Sequence, residues 1–128
     1  MPYTVNWLVP QRVIDVKFGE SLSVDELQEY DAKVVAMMEE GQPKNVHVLA
    51  DISRLEQFPN LQRTQQTKMA THPHLGWIVV YGSQNIVFRA MGIIVSKLFG
   101  NRLQWCNTRE EALAFLQRVD QTLIELNK

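Results

Sequence analysis

Val46-His47-Val48-Leu49-Ala50-Asp51-Ile52-Ser53 is the stretch on which the reading of this chain turns. It reads as a buried strand that closes on an Asp-x-Ser turn. A polar segment follows, rich in Gln and poor in apolar residues, and reads as a weak helix over about 60–71. In α/β chains the loops that leave strand C-termini cluster where ligands and partners dock. Asp51 and Ser53 are therefore candidate docking residues, although the same pair is well suited to a local turn that caps backbone amides.

Upstream, residues 3–9 alternate, with Tyr3, Val5, Trp7 and Val9 on one face and Thr4, Asn6 and Leu8 on the other. The alternation resumes after Pro10-Gln11 with Ile14, Val16 and Phe18 opposite Asp15 and Lys17, which predicts an antiparallel hairpin. Ser23-Val24-Asp25-Glu26 is a capping box ahead of Leu27, Tyr30, Val34 and Met38 at helical spacing, and Gly41-Gln42-Pro43 ends that helix.

Downstream, His72-Pro73-His74 breaks the chain before Trp77-Ile78-Val79-Val80-Tyr81, a continuously apolar strand. Gly82-Ser83 opens a third helix running to about Phe99, where Gly100-Asn101 stops it. Leu103-Gln104-Trp105-Cys106 is a short strand. Thr108-Arg109-Glu110-Glu111 is a second capping box, opening a helix on Ala112, Leu116, Val119, Leu123 and Leu126. The order β-β-α-β-α-β-α-β-α predicts an α/β fold: an N-terminal hairpin leading into a mixed, mostly parallel five-stranded sheet with about four helices.

At 128 residues the chain is expected to form one domain over 1–128. With 13 basic and 14 acidic residues there is no electrostatic argument for nucleic acid or an anionic membrane as partner. Cys106 is the lone cysteine, so an internal disulfide is impossible and a reducing compartment is the simpler expectation. No apolar run approaches the ~20 residues that span a bilayer, and the start of the sequence lacks signal-peptide character, so a cytoplasmic protein is expected.

The element order and Leu49-Ala50-Asp51-Ile52-Ser53 resemble the STAS domain, a superfamily that includes bacterial anti-sigma-factor antagonists. The SpoIIAA-like branch matches best, through the Gly-terminated first helix, the central strand Trp77 to Tyr81, the helix with Phe88, Leu98 and Phe99, and the final Arg109-Glu110-Glu111-Ala112-Leu113-Ala114-Phe115-Leu116. The resemblance implies a non-catalytic regulatory module that binds another protein. In phosphorylatable members a serine follows the Asp-x-Ser strand end; here Phe58-Pro59-Asn60-Leu61-Gln62 offers no Ser or Thr at that position, and Thr64 is one turn further on. Switching by that route is not implied.

The expected partner surface comprises Asp51, Ser53, Phe58, Asn60, Leu61, Arg63 and Lys68. Phe58 and Leu61 would anchor it, with Arg63 and Lys68 at its rim. Around the third helix, apolar residues cover more than half the circumference, wider than one sheet requires. The C-terminal helix, a second subunit or an apolar ligand would bury the remainder. Phe88, Met91, Val95 and Phe99 thus form a candidate homodimer or ligand face, and a carrier of an apolar or lipid-like ligand is the alternative function.

Chemistry has few candidates. His47, His72, His74 and Cys106 are the soft metal ligands, but nothing in their spacing brings three together, and no metal or cofactor is expected. Cys106 lies just before a helix start, which lowers a thiol pKa when the amides face it, but a small semi-buried thiol is the favoured reading. No nucleophile elbow, phosphate loop or dinucleotide fingerprint is present, so the reading is of a protein that is not an enzyme.

Overall fold

The computed structural model describes residues 3–40, 45–56, 68, 72–82, 100–121 and 123. Five strands form one sheet in the order β1 (Tyr3–Val9), β2 (Val13–Phe18), β3 (Val46–Asp51), β4 (Leu75–Tyr81) and β5 (Leu103–Cys106). β1 and β2 are antiparallel, and β2 to β5 run parallel. The described helices are α1 (Val24–Glu40) and α2 (Arg109–Val119), with a 3-10 turn at Gly100–Arg102. The fold is therefore the expected α/β arrangement, a mixed and mostly parallel five-stranded sheet. The helices anticipated over 60–71 and 83–99 lie outside the described residues.

Each face of the sheet carries its own core. Ile14, Val16, Val48, Ala50, Ile78 and Val80 point to the α1 side and meet Leu27, Tyr30, Val34 and Met38, the stripe expected from helical spacing. Tyr30 packs edge-on against both Tyr3 and Phe18, with ring centroids 6.0 and 5.2 Å away. Each such buried large side chain contributes about 1.5–3 kcal/mol relative to exposure. On the other face Val13, Leu49, Val79 and Tyr81 meet Ala112, Phe115 and Leu116 of α2, and Trp77 packs edge-on against Phe115 at 4.9 Å. Burial on both sides explains why Trp77 to Tyr81 of β4 reads as a continuous apolar run and why β3 is apolar apart from His47 and its closing Asp51.

Both caps form. The Glu26 amide donates to Ser23 Oγ at 3.1 Å and the Ser23 amide to Glu26 Oε1 at 2.9 Å. At α2 the Glu111 amide donates to Thr108 Oγ1, but the Glu111 carboxylate accepts from the Asn107 amide, one residue ahead of the expected partner.

Three details differ from the sequence reading. A register shift between Trp7 and Val9 moves Val9 to the α2 side beside Leu8, away from Tyr3, Val5 and Trp7. β4 begins at Leu75, two residues before Trp77. And α2 stops at Val119, which is 38% exposed, with Asp120 as its extended C-cap; Leu123 is buried beyond the helix. The apolar period continued past that point, but Asp120 is held by Arg12 and His47 from across the sheet.

Candidate functional site

The C-terminal ends of the parallel strands form one rim. At the end of β3, Asp51 Oδ1 accepts the Ser53 amide at 2.9 Å, an Asx turn that takes the chain out of the sheet. The Ile52 amide still donates to the Tyr81 carbonyl at 3.0 Å, so the turn stays pinned to β4. Leu55 is buried and its amide bonds the Ile52 carbonyl, while the Glu56 amide reaches the Glu20 carbonyl at 2.7 Å ahead of α1. Ser53, Arg54 and Glu56 remain exposed on this closed turn.

Gly82 makes the close approach possible. Its φ of +95° lies where L side chains are strained, and a Cβ there would stand 2.8 Å from the Ser53 Cβ. The backbone after β4 therefore lies directly against the Asp51–Ser53 turn.

Behind the rim, on the α2 face, Arg109 forks onto Asp15, with Nη2 to Oδ2 at 3.1 Å and Nη1 to Oδ1 at 3.3 Å. Nη1 also donates to the Tyr81 hydroxyl at 2.7 Å. The Asp15 carboxylate keeps Arg109 protonated. Burial pushes the Tyr81 phenol up despite the Arg109 hydrogen bond that opposes it. A locked guanidinium and a raised phenol do not exchange protons near neutrality. The fork is a brace between β2, β4 and the start of α2.

Cys106 is the half-buried thiol favoured by the sequence over an activated one. Burial first, and then the Glu111 carboxylate, push the thiol up, and α2's N-terminus does not activate it. The histidines are also committed. His72 Nδ1 accepts the His74 amide at 3.1 Å, His74 Nδ1 bonds the Met38 carbonyl at 3.0 Å, and His72 Nε2 lies 3.7 Å from Glu39. Among the described residues no three His, Cys, Asp or Glu side chains converge as metal ligands would.

His47 belongs to a cluster at the opposite end of the sheet. It is 2% exposed. Its Nδ1 accepts the Trp77 amide at 2.9 Å, which leaves the proton on Nε2, 2.8 Å from Asp120 Oδ2. Arg12 Nη2 donates to the same oxygen at 2.7 Å. Burial holds the imidazole below its ordinary pKa although Asp120 opposes the shift. Gly76 makes room for the ring, since a Cβ there would lie 2.5 Å from His47 Nδ1.

Of the residues expected at a partner surface, Asp51 and Ser53 sit together in the turn, and Lys68 is exposed with its backbone amide donating to Asp31 Oδ2 of α1 at 2.9 Å. Phe58, Asn60, Leu61 and Arg63 lie outside the described residues, as do Phe88, Met91, Val95 and Phe99. Neither the Arg109–Asp15–Tyr81 brace nor the His47–Asp120–Arg12 cluster was anticipated. Two signals were available. Asp15 sits in β2 on the face shared with Val13, and Arg109 occupies a helix first turn, where acids are the favoured charges.

No family model and no curated protein matches this chain. Solved structures do. A DUF3478-family protein from Shewanella loihica with a SpoIIAA-like fold superposes with a TM-score of 0.64 at 10% identity, covering 89% of this chain and 91% of that one. The anti-sigma factor antagonist SpoIIAA in its unphosphorylated form gives 0.58 at 14% identity, with 96% and 99% covered. The phosphorylated form of SpoIIAA, a Bacillus cell fate determinant, gives 0.52 at 10% identity, with 89% and 98% covered. The chain has the STAS/SpoIIAA-like fold.

Proposed function

We propose that residues 1–128 act as a single, non-catalytic regulatory module that binds another protein through the C-terminal rim of its sheet. The observation that carries this reading is the rim itself. A braced turn presents Ser53 and Arg54 to solvent, while Arg109, Tyr81 and Cys106 nearby are unsuited to bond-making. The fold shared with SpoIIAA, an anti-sigma factor antagonist, supports a regulatory role. Phe58, Asn60, Leu61, Arg63 and Lys68 would extend the surface beyond Asp51 and Ser53. Partner exchange would not depend on phosphorylation within Phe58–Gln62, which holds no hydroxyl.

Affinity capture from the source cell tests this, with Ser53→Arg and Phe58→Ala beside the unaltered protein. A specific protein retained by the unaltered chain and lost with both variants is the expected result. Retention indifferent to both variants, or no protein above background, overturns the proposal.

A further inference from the structure

β1 is an edge strand, and among the described residues no strand pairs with its outer side. Edge strands in soluble proteins are commonly guarded by charge, by proline within the strand or by brevity. β1 has none of these: its seven residues, Tyr-Thr-Val-Asn-Trp-Leu-Val, include no charge and no proline. The opposite edge, β5, has only four residues. The one irregularity in β1, between Trp7 and Val9, leaves Tyr3 to Trp7 in unbroken register with β2.

That run is complementary to itself. Antiparallel pairing about a twofold axis at Val5 sets Val5 opposite Val5, Tyr3 opposite Trp7, and Thr4 opposite Asn6 of the second copy. Val5 and Trp7 are half-buried apolar residues on the α1 face, whereas Thr4 and Asn6 are exposed and polar on the other. Every apolar residue thus meets an apolar one and every polar residue a polar one, with no like-charge contact. Tyr3 is already ordered, its hydroxyl donating to Glu29 Oε1 at 2.6 Å and its ring beneath Lys33 Nζ.

We propose that two copies of this chain associate through the outer edges of β1, antiparallel about Val5, so that their sheets become one. The contact supplies roughly four to six inter-chain backbone hydrogen bonds and two aromatic cross-strand pairs. A contact confined to two edge strands is smaller than a standard stable interface, so the association is a weak one, roughly micromolar or weaker. It uses a different surface from the strand C-terminal rim and does not depend on the function proposed there.

Sedimentation velocity of the full chain from about 1 to 300 μM brackets that affinity and tests the proposal. A monomer–dimer equilibrium is expected. The Thr4→Lys/Asn6→Lys double variant sets like charges opposite each other and weakens the dimer about tenfold or more. Mixing it with Thr4→Glu/Asn6→Glu restores association as a heterodimer. Both positions are exposed; should the double variant lose its circular-dichroism signature, mixing the single variants Thr4→Lys and Asn6→Glu sets the introduced lysine opposite the introduced glutamate and should give a tighter heterodimer than either variant forms alone. A monomer across the whole range, a dimer indifferent to the lysines, or no recovery on mixing overturns the proposal.

Discussion

Replacing Asp120 by Ala opens the cluster that fastens the end of α2 to the starts of β2 and β3. The His47 Nε2–H, 2.8 Å from Asp120 on a ring only 2% exposed, loses that acceptor, and Arg12 loses its carboxylate at 2.7 Å. Stranding a buried donor costs about 1–3 kcal/mol. The ion pair, whose two side chains are each 17% exposed, adds about 1 kcal/mol or less after solvent screening. The variant should therefore be about 2–3 kcal/mol less stable at pH 7.5, which moves a urea midpoint down by roughly 1–2 M. Arg12→Ala removes the ion pair and a long, exposed hydrogen bond from Arg12 Nε to the Asn45 carbonyl at 3.5 Å, and should fall by about 1 kcal/mol or less. Acidification gives an independent check. His47 is neutral in the folded chain with its pKa depressed by burial, so the unfolded chain binds the proton first as pH falls below about 6.5. This contribution to stability is complete above that pH and is lost progressively as pH falls toward the folded value. Protonating Nδ1 also breaks its bond from the Trp77 amide. An Asp120→Ala loss under 0.5 kcal/mol, or equal to that of Arg12→Ala, would refute the assigned geometry.

Three further outcomes follow from the same geometry. Arg109→Ala leaves the largely buried Asp15 without its bidentate partner and should destabilise by about 1–2 kcal/mol in chemical denaturation; Arg109→Lys, lacking the fork, should recover only part. Gly82→Ala combines a left-handed φ with a 2.8 Å approach to Ser53 and should cost about 1–3 kcal/mol, partly relieved by adding Ser53→Gly. Iodoacetamide alkylation of folded Cys106 should show an apparent pKa above that of the same thiol in the urea-unfolded chain, and a lower value would contradict the burial of the thiol.

What could be read from the sequence was local. The Ser23–Glu26 capping box involves residues three apart and formed with both reciprocal hydrogen bonds. Alternation in β2 assigned Ile14 and Val16 to one face, and the continuous apolar run of β4 announced a sheet covered on both sides. Asp51 and Ser53 were correctly placed at a strand end because an Asx turn is also local. The failures were tertiary. His47 and Asp120 are separated by 73 residues, and Asp15 and Arg109 by 94, so no window along the chain contains either pair. The end of α2 was missed for the same reason: its apolar period runs on, while Asp120 is claimed by partners far upstream. β4 starts early because Leu75 pairs with Val46 of β3 and the Val46 amide donates to the His74 carbonyl at 2.7 Å, a pairing invisible without the neighbouring strand.

The bond between Arg12 and Asp120 spans 108 residues, nearly the length of the chain. During synthesis the hairpin can form early, but His47 and Arg12 must wait for a carboxylate that is translated more than a hundred residues after Arg12. Until then the His47 imidazole lacks that acceptor and stays wet along with the sheet face that α2 will cover. Native structure of this kind is reached late and as a unit, since closure of so long a loop is repaid only when the contacts at both ends form together. A ribosome stalled before codon 120 should accordingly hold a nascent chain that proteases still cut, and moving the stall far enough downstream for Asp120 to clear the tunnel should confer resistance abruptly.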